Sequence, residues 1–252
     1  MTNIRIPSFF NGLSDAAQGG VASGLFAQHV GGTASVRLRA RIPLDVDLDA
    51  QLGPDGALSV SWDGRLVATA TRIPPFRHDP PVRPAFIDAL EAALRHQLRG
   101  IRHPFSDCVV CSPTRADGLG VVFGTARGLP DVLVAPLRAA DGFVTDGRLR
   151  PEALWGALDC TSFPADLLRN RSFALTGQLT AHLERPVAAD ERLVVVGWRT
   201  GRGTRSHPTA SAVLDEAGNV VASARAVWVQ PAAEAVGHTG ATTGSTMLGA
   251  TS

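Results

Sequence analysis

Apolar and polar positions repeat along the chain in two matched halves. Residues 64–73 (GRLVATATRI) and 218–227 (GNVVASARAV) share, in register, a glycine, branched apolar residues, Val-Ala and a hydroxyl residue. Each follows a turn-rich acidic stretch, which predicts the second strand of a β-hairpin. Upstream of each, residues 35–48 and 177–196 alternate between apolar and polar before a proline, which predicts a long strand that ends near that proline.

A short apolar helix is predicted to precede the long strand in each half. Residues 19–30 begin with a Gly-Gly pair, and residues 151–160 begin with a proline, which suits the first turn of a helix. Between the halves, the proline-rich residues 74–84 lead into residues 85–100, whose apolar spacing and final glycine predict a further helix. The order of elements is thus the same in both halves, which indicates an internal duplication.

The pattern also predicts where the halves begin and end. Three Val-rich segments of the second half are interpreted as additional strands: residues 107–113 (DCVVCSP), 119–124 (LGVVFG) and 131–137 (DVLVAPL). The last residues are rich in Ala, Gly, Thr and Ser without periodicity, which predicts disorder. The predicted divisions are an N-terminal unit (1–79), a proline-rich linker and helix (80–102), a C-terminal unit (103–231) and a disordered tail (232–252).

Composition narrows the classes of partner. The 252 residues carry 24 basic and 23 acidic side chains, so no overall field favours nucleic acid or an anionic membrane. No apolar run approaches the length of a membrane span, and no charged-then-apolar leader opens the sequence. Three cysteines are too few, and odd in number, for a disulfide framework, so we expect a reducing, cytoplasmic setting.

The strand segments 175–201 and 210–229 resemble the strand core of acyl-CoA thioesterases of the hot dog superfamily. The Gln-Gly-Gly sequence at 18–20 resembles the helix start of the phenylacetyl-CoA type, in which a His or Asn precedes the glycine pair. The resemblance implies an α+β double hot dog: two tandem units, each with a long antiparallel sheet wrapped around a central helix. It also implies thioester hydrolysis, although Gln18 departs from the motif.

Hydrolysis of a thioester requires a group that polarises the carbonyl and a group that activates water. Uncovered N–H groups at a helix N-terminus do the first, and we expect Gly19 and Gly20 to expose them. In the family a carboxylate lies eight residues after the second glycine. Here that position is Gln28 in the first half and Asp159 in the second.

Eight residues span about 12 Å of helix, so the N-terminus and the carboxylate of one helix cannot share one carbonyl. We therefore predict one composite site, in which Gly20 of the first helix faces Asp159 of the second and Gln18 assists. Asp159 acts there as general base or as nucleophile, and both roles stay open. The position of Asp159 near a helix C-terminus predicts a raised pKa, because the helix dipole disfavours negative charge there. Two structural alternatives stay open: the glycine pair serves close packing, or Asp159 caps the turn that follows it.

The substrate-binding prediction covers polar and aromatic residues on or beside the two helices: Gly19, Phe26, Gln28, Trp155, Thr161 and Ser162. The resemblance implies that the partner is an acyl-CoA or an acyl-carrier protein, with coenzyme A or phosphopantetheine only as part of the substrate. Both a monomer and a homo-oligomer stay open. The rival functions are a hot dog dehydratase or hydratase on similar thioesters and a non-catalytic acyl-thioester binding protein. No Asp-x(4)-His, which would favour the dehydratase, appears near either helix.

Cys108 and Cys111 have the spacing of half a zinc site, with His103 and Cys160 as conceivable further ligands. The Val-Val between the two cysteines favours a strand, and zinc sites usually combine two matched pairs. We therefore expect no metal and no other cofactor.

Overall fold

The computed structural model describes residues 2–98 and 105–231. Its four α-helices are α1 (Gly19–Val30), α2 (Phe86–Leu98), α3 (Pro151–Thr161) and α4 (Ala165–Arg169). The strands are β1 (Thr2–Arg5), β2 (Asn11–Leu13), β3 (Ala16–Ala17), β4 (Ala34–Leu38), β5 (Asp47–Leu52), β6 (Leu58–Trp62), β7 (Arg65–Arg72), β8 (Gly124–Ala126), β9 (Leu129–Leu137), β10 (Val144–Thr145), β11 (Arg148–Leu149), β12 (Leu175–Leu183), β13 (Leu193–Arg199), β14 (Ser206–Leu214) and β15 (Val220–Val229). No helix among these described residues is both long and apolar enough to span a membrane.

Eleven of the strands form one antiparallel sheet in the order β1-β5-β6-β7-β4-β12-β15-β14-β13-β9-β8. When the strands of each half are numbered along the chain, both halves have the order 1-3-4-5-2 from the outer edge of the sheet to its middle. In the first half these strands are β1, β5, β6, β7 and β4. In the second half the β8–β9 hairpin takes the first place and is followed by β13, β14, β15 and β12. The halves meet where β4 pairs with β12, with Val36 opposite Leu179. The common topology is what an internal duplication predicts.

The apolar pattern of each strand matches the burial of its two faces. The run Leu-Val-Val-Val at the start of β13 is buried on both faces, because α3 packs on one side and α2 on the other. Strand β6 alternates instead, with Leu58 and Val60 buried and Ser59 exposed. Continuous and alternating apolar patterns therefore distinguish two-sided from one-sided burial, as expected for strands.

The two central helices, α1 and α3, cross in contact because glycines lie at the crossing. A methyl group on Gly20 would come within 2.5 Å of the Trp155 carbonyl oxygen and 2.8 Å of the Gly156 Cα. A methyl group on Gly24 would come within 2.6 Å of the Glu152 Cα. Gly20 and Gly24 thus let the backbones approach closely. The packing role considered for the glycine pair is observed at Gly20 but not at Gly19, whose nearest neighbours are side-chain atoms at 3.3–3.4 Å.

Three of the predicted strands are corrected by the structure. Strand β4 ends at Leu38 and not near Pro43, because the chain then leaves the sheet and Ile42 accepts a hydrogen bond from the Ala17 N–H at 2.8 Å. Residues 107–113 and 119–123 form turns and irregular chain. Val109, Val110 and Val121 are buried although they lie outside any strand. The apolar pattern therefore reported burial and not strand structure.

The predicted unit boundaries at 79, 102 and 231 stay a prediction. Residues 232–252, predicted as a disordered tail, lie outside the described residues, and so does His103.

We expect Gly20→Ala to destabilise the protein by about 3 kcal/mol, because its methyl group meets backbone atoms that cannot turn away. This corresponds to a fall in melting temperature of about 10 °C for a chain of this size. Gly19→Ala is the matched control. There the nearest atoms are the side-chain Cβ and Oγ1 of Thr176 at 3.3 Å, so we expect a much smaller loss. Equal melting temperatures for the two variants would contradict the packing argument.

Candidate functional site

The carboxylate of Asp159 lies at the crossing of the two central helices and is almost fully buried. One of its oxygens, Oδ2, accepts hydrogen bonds from the Gln18 side-chain amide at 2.7 Å and from the Gly20 backbone N–H at 2.9 Å. The other oxygen, Oδ1, accepts from the Thr176 hydroxyl at 2.7 Å. Asp159 of one half therefore meets the helix start of the other half, as the composite-site hypothesis expects. Its side chain does not cap the following turn.

The helix start differs from the expectation in one respect. The N–H of Gly20 is not uncovered but donates to Asp159. Gln18 is the N-cap of α1, and its side-chain oxygen accepts from the Val21 N–H at 2.6 Å. This bond turns the Gln18 NH2 group toward Asp159, so glutamine takes two roles at the position where the family motif has His or Asn.

Thr176 was not predicted, and it is placed by an irregularity in β12. The pairing of β12 with β15 shifts register between Thr176 and Gln178, which marks a β-bulge at Gly177. Bulges re-aim side chains and are common beside active sites. The available signal was the glycine inside an apolar strand pattern, which often indicates a bulge.

Burial raises the pKa of Asp159 to about 7, and negative charge on the nearby Cys108 acts in the same direction. The hydrogen bonds from Thr176, Gln18 and Gly20 act in the opposite direction, because they favour the ionised form. The raised pKa agrees with the sequence prediction, but the leading cause is burial and not the helix dipole. Near neutral pH the carboxyl group is thus poised between its two forms.

An apolar pocket of about 310 Å³ opens onto this carboxylate. Its walls come from the chain after β4, the start of β12, the end of β15 and residues 105–123. The residues around it include Leu38, Arg39, Arg41, Ile42, Phe105, Phe123, Phe163, Leu175, Thr176, Trp228 and Val229. The exposed arginines Arg39 and Arg41 border the pocket, and its remaining walls are mostly aliphatic and aromatic. This shape and chemistry suit an apolar group attached to an anionic carrier.

The structure brings only part of the predicted set together. Gln18, Gly19 and Asp159 line the pocket. Ser162 is one step removed: its hydroxyl donates to the Asp159 backbone oxygen at 2.8 Å and accepts from the indole N–H of Trp228 at 3.0 Å. It therefore supports the pocket wall.

The other predicted binding residues lie away from the pocket. Phe26, Trp155 and Thr161 are buried between the helices and the sheet. Gln28 lies near the far end of α1, where its amide donates to the carboxylate of Glu152 at 3.0 Å. Arg150 forms an ion pair with that same carboxylate. The contact between the helices toward the end of α1 thus has an ion pair, whereas the contact at the start of α1 has the pocket.

Three cysteine thiols also line the pocket. The sulfur atoms of Cys108, Cys111 and Cys160 all lie within 4.8 Å of one another, and the Gln18 amide donates to the Cys160 sulfur at 3.4 Å. Burial alone would raise the pKa of the Cys108 thiol. Hydrogen bonds from the two other thiols and from backbone N–H groups of the 108–111 turn nevertheless hold it well below its usual value.

Solved structures with the same architecture identify the fold. A candidate thioesterase from Novosphingobium aromaticivorans superposes with a TM-score of 0.60 at 14% identity, covering 91% of this chain and 95% of that chain. A candidate thioesterase II from Thermobifida fusca gives 0.59 at 14% identity, covering 90% and 92%. A hot dog protein from Alicyclobacillus acidocaldarius gives 0.50 at 15% identity, covering 91% and 92%. The chain has the double hot dog fold.

This confirms the fold that the resemblance implied. At the level of sequence, no protein-family model and no curated protein matches the chain.

We expect Asp159→Asn to stabilise the protein at pH 8. An Asn oxygen can accept from Gln18 and Gly20 while its NH2 group donates to the Thr176 hydroxyl, so the contacts survive and the buried charge is removed. In the wild type, the folded state holds the Asp159 proton up to pH about 7, whereas the unfolded state releases it near pH 3.8.

The contribution of Asp159 to the free energy of unfolding is therefore fully present below pH 3.8 and is lost as the pH rises to about 7. The loss amounts to about 4 kcal/mol. Urea unfolding of wild type and variant across pH 4 to 8 measures it. Stability curves that run parallel for the two proteins would contradict the buried-charge argument.

Proposed function

We propose that the protein is a thioesterase that hydrolyses an acyl-CoA or acyl-carrier-protein thioester at the single composite site between its halves. The observation that carries the proposal is the contact of the Asp159 carboxylate with the Gly20 N–H at the wall of an apolar pocket. Both groups that hydrolysis requires, a backbone donor at a helix N-terminus and a carboxylate, thus occur within one hydrogen bond of each other.

In the proposed reaction the thioester carbonyl oxygen takes the Gly20 N–H, which Asp159 occupies in the resting site. The carboxylate keeps its bonds to Gln18 and Thr176 and accepts a proton from an attacking water. The oxygen of that water forms the new bond to the carbonyl carbon, the carbon–sulfur bond breaks, and the thiolate leaves to be protonated. The products are a carboxylic acid and a free thiol.

The lining of the pocket fits an acyl thioester. Its apolar lining accepts the acyl group, and Arg39 and Arg41 suit the phosphates of coenzyme A or of phosphopantetheine. No histidine lines this pocket among residues 2–98 and 105–231. Among those residues, Asp159 therefore has no histidine beside it of the kind that the dehydratase alternative requires.

The direct test is to incubate the reduced protein with a panel of acyl-CoA and acyl-carrier-protein thioesters and to quantify the free carrier by chromatography, because the protein itself has three thiols. We expect release from at least one thioester, and Asp159→Asn to lower it by about 10² or more. Gln28→Asn, at the equivalent place on the other helix, is the control and should retain activity. Saturable binding without release would favour the non-catalytic binding protein, and equal losses at both positions would contradict a single site.

We expect Thr176→Val to lower activity and to move the pH dependence. Removal of the hydroxyl takes away a donor that favours the ionised carboxylate, so the pKa of Asp159 rises. A general base works when ionised, so the rise of activity with pH should move to higher pH. Thr176→Ser keeps the hydroxyl and should restore the wild-type profile. Rates measured on reduced, chelator-treated protein from pH 5 to 9 test this, and an unmoved profile would contradict it.

A further inference from the structure

The three cysteines of the chain come from two separate parts of the fold and meet at one place. Cys108 and Cys111 belong to the segment that covers the pocket, and Cys160 belongs to the last turn of α3. All three side chains are buried, and the Cys108 and Cys160 sulfur atoms are 3.9 Å apart. Buried cysteines often serve only as small apolar residues. Three sulfurs converging on one point, beside a polar site, need a further explanation.

The spacing of the sulfurs fits a metal ion. A tetrahedral zinc ion with bonds of about 2.3 Å to sulfur places its ligands about 3.8 Å apart. The observed separation of Cys108 and Cys160 is 3.9 Å, and the third sulfur lies within 4.8 Å of both. Small rotations of the side chains would therefore complete three corners of a tetrahedron.

The backbone around Cys108 and Cys111 supports this geometry. The two residues lie in a tight turn, with the Ser112 N–H donating to the Cys108 carbonyl at 3.0 Å. The turn is anchored to the first half by the Val109 N–H, which donates to the Asn11 carbonyl at 2.9 Å. A Cys-x-x-Cys turn with both sulfurs on one side is a common way to supply two zinc ligands.

We propose that Cys108, Cys111 and Cys160 bind one thiophilic divalent ion, of which Zn²⁺ is the representative, with its fourth coordination position open to the pocket. This revises the expectation that the cysteines bind no metal. That expectation took residues 107–113 for a strand and counted the lack of a second matched pair against a zinc site, although it named Cys160 as a conceivable ligand. In the structure residues 107–113 form a turn, and Cys160 of α3 lies beside it.

The fourth position distinguishes this site from a closed structural zinc site. All three cysteines line the pocket, so we place the fourth position on the pocket side, where substrate would enter. Three protein ligands and one exchangeable position are typical of accessible zinc sites. The proposal concerns ion binding alone and holds whether or not the protein hydrolyses thioesters.

The test uses the full chain, reduced and freed of metal with a chelator, and then titrated with Zn²⁺ in competition with a chromophoric chelator. Co²⁺ is the spectroscopic probe, because thiolate ligation gives charge-transfer absorption in the near ultraviolet. We expect one ion per chain with thiolate absorption. Cys108→Ser, Cys111→Ser and Cys160→Ser should each weaken Zn²⁺ binding more than about 100-fold, since even outer-shell changes cost about 10- to 100-fold. Gln28→Asn is the control and should bind like the wild type.

The melting temperature of each variant is also measured with and without Zn²⁺, so that a loss of stability is not mistaken for the loss of a metal-binding thiol. Zn²⁺ should raise the melting temperature of the wild type and of Gln28→Asn but not that of the three serine variants. Addition of a small thiol to the Co²⁺ form should change its visible spectrum, because the fourth position is open.

Absence of stoichiometric Zn²⁺ binding, or a Cys160→Ser variant that binds like the wild type, would overturn the three-thiol site. An unchanged Co²⁺ spectrum after thiol addition would overturn the open position.

Discussion

Glycines at the crossing of α1 and α3 allow two helix backbones to touch, and the polar site follows from that contact. At Gly20 a side chain of any size would collide with the carbonyl of Trp155. Because the helices are so close, Asp159 of α3 reaches the first N–H groups of α1. There the positive end of the helix dipole and two further donors compensate a carboxylate that has been removed from water. The compensation is incomplete, which is why the pKa of Asp159 rises.

The duplication supplies two corresponding contacts between the helices, one toward each end of α1, and they differ in chemistry. Toward the end of α1, Gln28 contacts Glu152, and Arg150 neutralises that carboxylate. At the start of α1, Asp159 lies beside a pocket and contacts no cation among the described residues. A buried charge without a cation is costly, whereas the charge of Glu152 is compensated by a cation and a hydrogen bond. The fold thus places a poised group on one side of the molecule and a structural ion pair on the other.

Residues 105–123, which precede β8, supply two of the thiols in the pocket wall. Cys108, Cys111 and the valines at 109, 110 and 121 are buried without being in strands, and Val110 lies against Gly156 of α3. The Asn11 carbonyl accepts a hydrogen bond from the Val109 N–H and so anchors this segment to β2. Through it, thiols are placed next to a carboxylate that lies far away in sequence.

The sequence by itself determined the elements whose burial follows a regular period. Helix α1 has its predicted bounds, α3 runs one residue longer than predicted, and β7, β9 and β15 lie where alternation and hairpin turns predict them. The pairing of Gly20 with Asp159 was also within reach, because a helix of that length keeps its own carboxylate away from its own N-terminus and an internal repeat offers a second helix.

Tertiary structure alone decided what those groups contact. That the Gly20 N–H is occupied, that Thr176 is turned inward by a bulge, that Gln28 serves an ion pair and that three distant thiols converge all depend on contacts between residues far apart along the chain. Local periodicity reports whether a residue is buried, and it contains no information on which other residues are buried beside it.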